Sequence, residues 1–440
     1  MYSRKKIFRV TYPIFLTLLA QTIINVTDTA FLGRVSEVAL GASAIGGVFY
    51  IAIFMVGYGF SQGAQILIGR RNGEQNYAAI GPIFNSGMLA SISLATLIFF
   101  ASLFWMSGLM KSIVSSPEIY HASMEFLDWR IYGFFFAFIN VMFRALFVGI
   151  TRTRVLTISA FITAGTNIFL DWVLIFGKMG FPEMGIAGAA IASVIAEAVT
   201  SVYLLLVTLR QQDRKKLGLL YFRELELKNI GQILDLSIFI MFQYFIGVAT
   251  WFIFFIFIEK LGERPLAVTN IGRSLYSLMM IPGAALSATF NTLVSNMIGA
   301  GQKKKVIGFM HKNIRLTLWF ALPIMALAFL IPSLFGRIYT DDLSLVAASI
   351  GTIRIIGVAI VFNSITNIIL SAVIGSGNTR TAFAVEAFSL IFYVGYIYYT
   401  AIVLRSSVEI VWLSEFVYWL IIGSMAYMYM LKGNWHERKL

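Results

Sequence analysis

Cysteine is absent from the 440 residues, histidine occurs only three times, and charged residues make up 12% of the chain. Without cysteine there is no disulfide and no cysteine-ligated zinc, haem or iron–sulfur centre. His121, His311 and His436 fall in or beside predicted loops and the tail and do not cluster, which removes a histidine metal site. The scarcity of charge excludes an ordinary soluble domain, where about 25% is usual. HExxH, GxSxG and an acidic metal cluster at a cytoplasmic face are also missing, so no enzyme is expected. The apolar run after MYSRKKIFR exceeds twenty residues, the length of a span rather than of a cleavable signal core.

What is present is apolar: 59% hydrophobic residues and a mean hydropathy of +0.82 predict an all-α membrane protein. Apolar runs of about 20 residues predict twelve transmembrane helices at approximately 10–32, 44–68, 83–106, 126–148, 155–176, 186–209, 231–258, 266–297, 314–336, 345–374, 381–404 and 410–431. The net charge of +13 is better accounted for by the positive-inside rule than by nucleic acid, for which no role is expected. With the N-terminus inside, 23 of the 34 Lys and Arg fall in inner segments and 7 in outer loops; Arg130, Arg144, Arg273 and Arg354 lie within spans. The expected location is the cytoplasmic (inner) membrane, multi-pass, with both termini cytoplasmic.

One gap-free offset of 226 residues pairs Leu40 with Leu266, Gly57 with Gly283, Gly149 with Gly375 and Arg154 with Arg380. It also aligns loop with loop, GITRTR with GSGNTR. The chain is therefore read as two six-helix lobes, 1–209 and 230–440, joined by a cytoplasmic linker, 210–229. Six spans per half make this a parallel pseudo-two-fold repeat, an arrangement that places a substrate pathway between lobes.

At that offset Asp28 faces Phe254, Asn167 faces Tyr393 and Asp171 faces Ile397, so the second half keeps the scaffold and drops these polar groups. A charge in the middle of a span is costly, so a group kept in one half only reads as functional. Asn167 and Asp171 are four apart and share a helix face. Asp28 and Asp171 both lie a few residues from the outer end of their spans, at similar depth. Ala189, Ser193 and Glu197 follow on span six at successive helical turns. These oxygens suit Na⁺ binding, at Asp28, Asn167 and Asp171, or proton carriage. Each residue has a plainer reading: headgroup contact for Asp28 and Asp171, a helix–helix hydrogen bond for Asn167, packing for Ser193, and pairing with Arg144 for Glu197. Candidate cavity residues are Gln21, Asn25, Glu197, Gln243, Arg273 and Arg354, the two arginines with snorkelling as the alternative. Pro13 reads as an N1 proline at the start of span one.

The chain resembles the multidrug and toxic compound extrusion (MATE) transporters over nearly its full length. The resemblance rests on Pro13 and Asp28 in span one, GRRNGEQN, the pair Asn167 and Asp171, GIAGAAIAS and GAGQ. It implies a cation-coupled antiporter, driven by H⁺ or Na⁺ and without further cofactor, that exports amphipathic organic compounds from the bilayer by alternating access as a monomer. It resembles most the DinF-like branch, whose acids lie in the first lobe; this implies coupling through Asp28, Asn167 and Asp171, with Ser193 where threonine is usual. Span seven has Gln243 and span ten has no acid where the other main branch carries acids, so no second-lobe cation site is expected. The alternative function is that of a lipid-linked precursor flippase, which would use several cavity-facing bases.

Overall fold

A computed structural model describes residues 2–221 and 226–438. Arg223 of the linker and Lys439 of the tail, both counted among the inner bases, lie outside the described residues. Among those described there is no strand, and the order of helices is simple. In the first half these are α1 (Arg4–Val35), α2 (Glu37–Gly73), α3 (Ile80–Ile113), α4 (Pro117–Arg130), α5 (Gly133–Gly149), α6 (Arg154–Ile175) and α7 (Gly185–Leu209). After the short α8 (Arg214–Leu217) come α9 (Leu227–Glu259), α10 (Glu263–Gly299), α11 (Val306–Leu330), α12 (Pro332–Arg337) and α13 (Leu343–Gly375). The chain closes with α14 (Thr379–Ile397), α15 (Val408–Trp412) and α16 (Ser414–Lys432). Among the described residues eleven helices are long and apolar enough to cross a membrane, and the bent pair α4–α5, taken as one span, makes the twelfth.

Only helices can satisfy every backbone group in hydrocarbon within one segment, and their ends are set by caps rather than by hydropathy. The Ser36 hydroxyl accepts from the Ala39 N–H at 3.0 Å and starts α2 well before its apolar run. The Asp342 carboxylate caps α13, accepting from the Ser344 and Leu345 N–H groups. Hydrogen bonding to Ser344 holds the Asp342 carboxyl below the usual carboxylate range. The helices therefore overrun the apolar windows: GRRNG belongs to the last turns of α2, not to a loop.

Pro13 is not at N1. The basic RKKIFR segment is helical too, so α1 begins at Arg4 and Pro13 lies inside it. A proline there removes the bond to the Arg9 carbonyl. The single donor of the Thr153 hydroxyl stands there instead, 3.1 Å from Val10 O and 3.4 Å from Arg9 O.

The chain divides into two compact units, residues 8–241 and residues 242–440 together with 1–7. The first unit packs around Tyr50, Phe126, Phe134, Phe138 and Ala190. Buried Asn85 clamps the segment after α8: its amide donates to Gly218 O and Tyr221 O, both at 3.1 Å, and it accepts from Leu220 N at 2.9 Å. The second unit has two cores, one around Phe254, Tyr276 and Trp412, the other around Phe290, Phe309 and Met430.

Candidate functional site

The first unit gathers its polar side chains from α1, α6 and α7. Asp28 lies seven residues before the end of α1 and is half-buried; Asn167 and Asp171 on α6 are 1% and 0% exposed. Oriented so that both ends of its amide are satisfied, Asn167 donates through Nδ2 to Asp28 Oδ1 at 3.2 Å and to Asp171 Oδ2 at 3.3 Å. The Ser193 hydroxyl donates to the Asn167 carbonyl oxygen at 3.3 Å, from α7. One amide group thus joins the two carboxyl groups. Asp171 Oδ1 is buried and has no partner. Ala189 packs in the hydrophobic core of this unit.

Glu197 is one turn further along α7, and its partner is Arg130 rather than Arg144. The guanidinium forks onto both carboxylate oxygens, Nη2 to Oε1 at 2.7 Å and Nη1 to Oε2 at 3.2 Å. It stacks on the Tyr50 ring at 3.5 Å, and the Tyr50 hydroxyl donates to both Glu197 oxygens at 3.0 Å. Arg144 instead lies over the Tyr58 ring at 4.9 Å. Span four bends by 52° between α4 and α5, which brings Arg130 to Glu197. Gly133 leaves the room: a Cβ there would come within 2.3 Å of Arg130 Nη1 and 2.8 Å of Glu197 Oε2. Arg130 also acts through space on both Asp28 and Asp171. Sequence reasoning left Arg130 without a role; its place inside a span was the signal that could have found it.

The second half carries acids within its spans too, at positions that the repeat does not pair with Asp28 or Asp171. Glu386 on α14 accepts from Gln243 Nε2 at 2.6 Å and from the Tyr418 hydroxyl at 3.1 Å. Glu415 on α16 is 3% exposed and accepts from Tyr276 at 2.7 Å, Trp419 at 2.9 Å and Tyr393 at 3.2 Å. Both lie in predicted spans eleven and twelve, but comparing halves position by position inspects only the places opposite Asp28 and Asp171. Gln243 is thus engaged with an acid. Gln21 and Asn25 are exposed on α1, and Arg273 and Arg354 are exposed on α10 and α13, Arg273 over the Phe255 ring at 5.1 Å. Among the described residues no three His, Cys, Asp or Glu are placed to hold a metal ion.

Comparison with known proteins places the chain among membrane transporters. The family profile described as MatE matches residues 13–173 and 240–399. A Thermotoga maritima protein called probable multidrug resistance protein NorM is 28% identical over 380 residues, 86% of this chain and 81% of that one. Among solved structures, an outward-facing multidrug resistance MATE family transporter of the MOP superfamily superposes with a TM-score of 0.90 at 17% identity, covering 97% of this chain and 95% of that one. A MOP superfamily transporter from Pyrococcus furiosus also gives a TM-score of 0.90, at 17% identity over 99% and 97% of the two chains.

Proposed function

Since the chain belongs to the MatE family, we propose that it is a cation-coupled antiporter that exports amphipathic organic compounds across the cytoplasmic membrane by alternating access. The observation that carries the coupling half of this reading is the bridge that the Asn167 amide makes between Asp28 and Asp171. Arg130 is committed to Glu197, so its direct ion pair leaves the two aspartates to share what charge compensation remains. One monovalent cation, H⁺ or Na⁺, neutralises such a pair.

The amide favours the proton. Its N–H groups face the carboxylates, whereas a hard cation wants oxygens there. Na⁺ would require Asn167 to turn over, so that its amide donates to Ser193 Oγ instead of accepting from it and its N–H groups leave the carboxylates. Loading the site ties the outer part of α1 to α6; unloading leaves two like charges on one amide and drives the helices apart. Pro13, inside α1, supplies a point with a missing backbone bond about which that helix can bend. The bias of bases supports both termini on the cytoplasmic side. The relatives' name, multidrug resistance protein, supports organic compounds as cargo.

Purified protein in proteoliposomes, loaded with ethidium and given a pH gradient or a Na⁺ gradient separately, tests this. Uphill efflux under the pH gradient is expected, and Asp28→Asn with Asp171→Asn should abolish it while ethidium binding persists; efflux driven by the Na⁺ gradient instead would assign the site to Na⁺. Full uphill efflux in the double variant refutes the coupling site. Appearance of a lipid-linked sugar on the far leaflet without either gradient would identify a flippase instead.

A further inference from the structure

The coupling site of the first unit leaves Glu386 and Glu415 of the second without a role, and the two differ. Glu415 is satisfied by three donors from Tyr276, Trp419 and Tyr393. Glu386 has two donors, one to each oxygen, and stands beside an orphan: Gln243 Oε1 is buried and has no hydrogen-bond partner, and Gln243 as a whole is 6% exposed. Glu386 makes no ion pair among the described residues. The titratable and charged groups around it are Tyr418 and Glu415 on α16, Tyr393 and the exposed Arg380 on its own helix α14, and Tyr276 on α10 through Glu415. No charged group on α9 or α13 touches it.

We infer that Glu386 is a second proton-binding site, housed in the C-terminal unit, with Gln243 and Tyr418 as the side chains that register its state. Both defects of the ionised arrangement are cured by one ligand. An unpaired carboxylate inside a span is costly, and so is an orphaned amide oxygen. When a proton from water forms one O–H bond at Glu386, the acid becomes neutral. Rotation of the Gln243 amide then lets Oε1 accept the new O–H. Protonation thereby changes which end of Gln243 holds α9 to α14.

The internal repeat gives that tie its meaning. The offset of 226 residues maps α9 onto α1 and α14 onto α6, and Gln243 onto Thr17. The Thr17 hydroxyl donates within α1 to Pro13 O at 2.9 Å and also lies 3.4 Å from Leu156 O on α6. The same pair of helices carries Asp28 and Asp171. In each half, then, the first helix is bound to the fifth through polar side chains that include an ionisable link, at different depths. Beyond Gln243 and Glu386, α9 and α14 line an apolar groove of about 670 Å³, with Ile246, Thr250, Ile391 and Val394 among its walls.

Infrared difference spectroscopy of the full-length protein in lipid, titrated from acid to alkaline pH, reads the site without any substrate. One titrating carboxylic C=O band should vanish in Glu386→Gln and survive in both Glu415→Gln and the Asp28→Asn, Asp171→Asn double variant. The last arm separates this site from the first-unit coupling site, whose failure would leave the band untouched. A Glu386→Gln spectrum that overlays the wild type overturns the proposal, and so does loss of the band on adding NaCl at constant pH. Should Glu386→Gln fail to fold, Gln243→Leu keeps the acid and must shift the frequency of its C=O stretch; an unshifted band is equally fatal.

Discussion

A guanidinium that forks onto both oxygens of Glu197 and lies 3.5 Å from the centre of the Tyr50 ring uses its planarity twice. Lysine can supply neither the fork nor the stacking. With the two side chains 11% and 18% exposed, the pair is close to the buried limit, where removing one partner leaves the other charge stranded. Arg130→Met is therefore expected to destabilise the protein by about 3 kcal/mol, and Glu197→Gln on top of it to recover part of that loss. Unfolding titrations of the single and double variants in detergent measure both; strictly additive losses would show that the pair is uncoupled. The sequence made Glu197 conspicuous but misassigned its partner. Arg144 was equally plausible on a list of in-span arginines, and what decides between them is a 52° bend that no hydropathy window can register.

Helix seams position these side chains. Gly188, in GIAGAAIAS, brings α7 against the backbone of α6, where a Cβ would meet Leu174 C and O at 2.8 Å and Ile175 N at 2.9 Å. Small residues allow such approach, and the contact carries no flexible side chain that could yield. Gly188→Ala must push α6 and α7 apart and should cost about 1–3 kcal/mol, the usual range for overpacking. It should also weaken the Asn167–Ser193 contact and with it gradient-driven efflux. Gly165, in the middle of α6, is the control: a Cβ there meets nothing within 4 Å. Gly165→Ala should be neutral or slightly stabilising, since alanine is the better helix former by roughly 0.5–1 kcal/mol. Equal thermal shifts for the two variants would remove Gly188 from the argument. At this scale the sequence was informative about which segments are helical, because span length and apolar content are one-dimensional properties. It was poor at their ends, where a single cap such as Ser36 outweighs hydropathy, and at Pro13, because a basic segment too polar to count as span is helical all the same.

At the scale of the molecule, twelve spans in two sixes were legible because even spacing and a gap-free offset survive in an apolar chain. The acids of the second half were not, because their partners are an amide, three tyrosines and a tryptophan, residues that an apolar chain carries everywhere. Orientation depends on one element of the pattern, the bent pair α4–α5. Counted as one span, it gives each half six crossings, so both halves enter from the same side. Counted as a re-entrant loop, it would leave five in the first half and turn the second half over. The absence of cysteine makes the distinction measurable, since any introduced thiol is the only one. Lys178→Cys, between α6 and α7, and Lys260→Cys, between α9 and α10, should both react with a membrane-impermeant maleimide in intact cells. Glu74→Cys and Lys304→Cys should react only after permeabilisation; all four native side chains are exposed, so access is limited by the membrane alone. Labelling of position 178 but not of 260 would mean that the halves are inverted, and labelling of 74 and 304 alone would put the 23 inner bases outside, against the positive-inside rule.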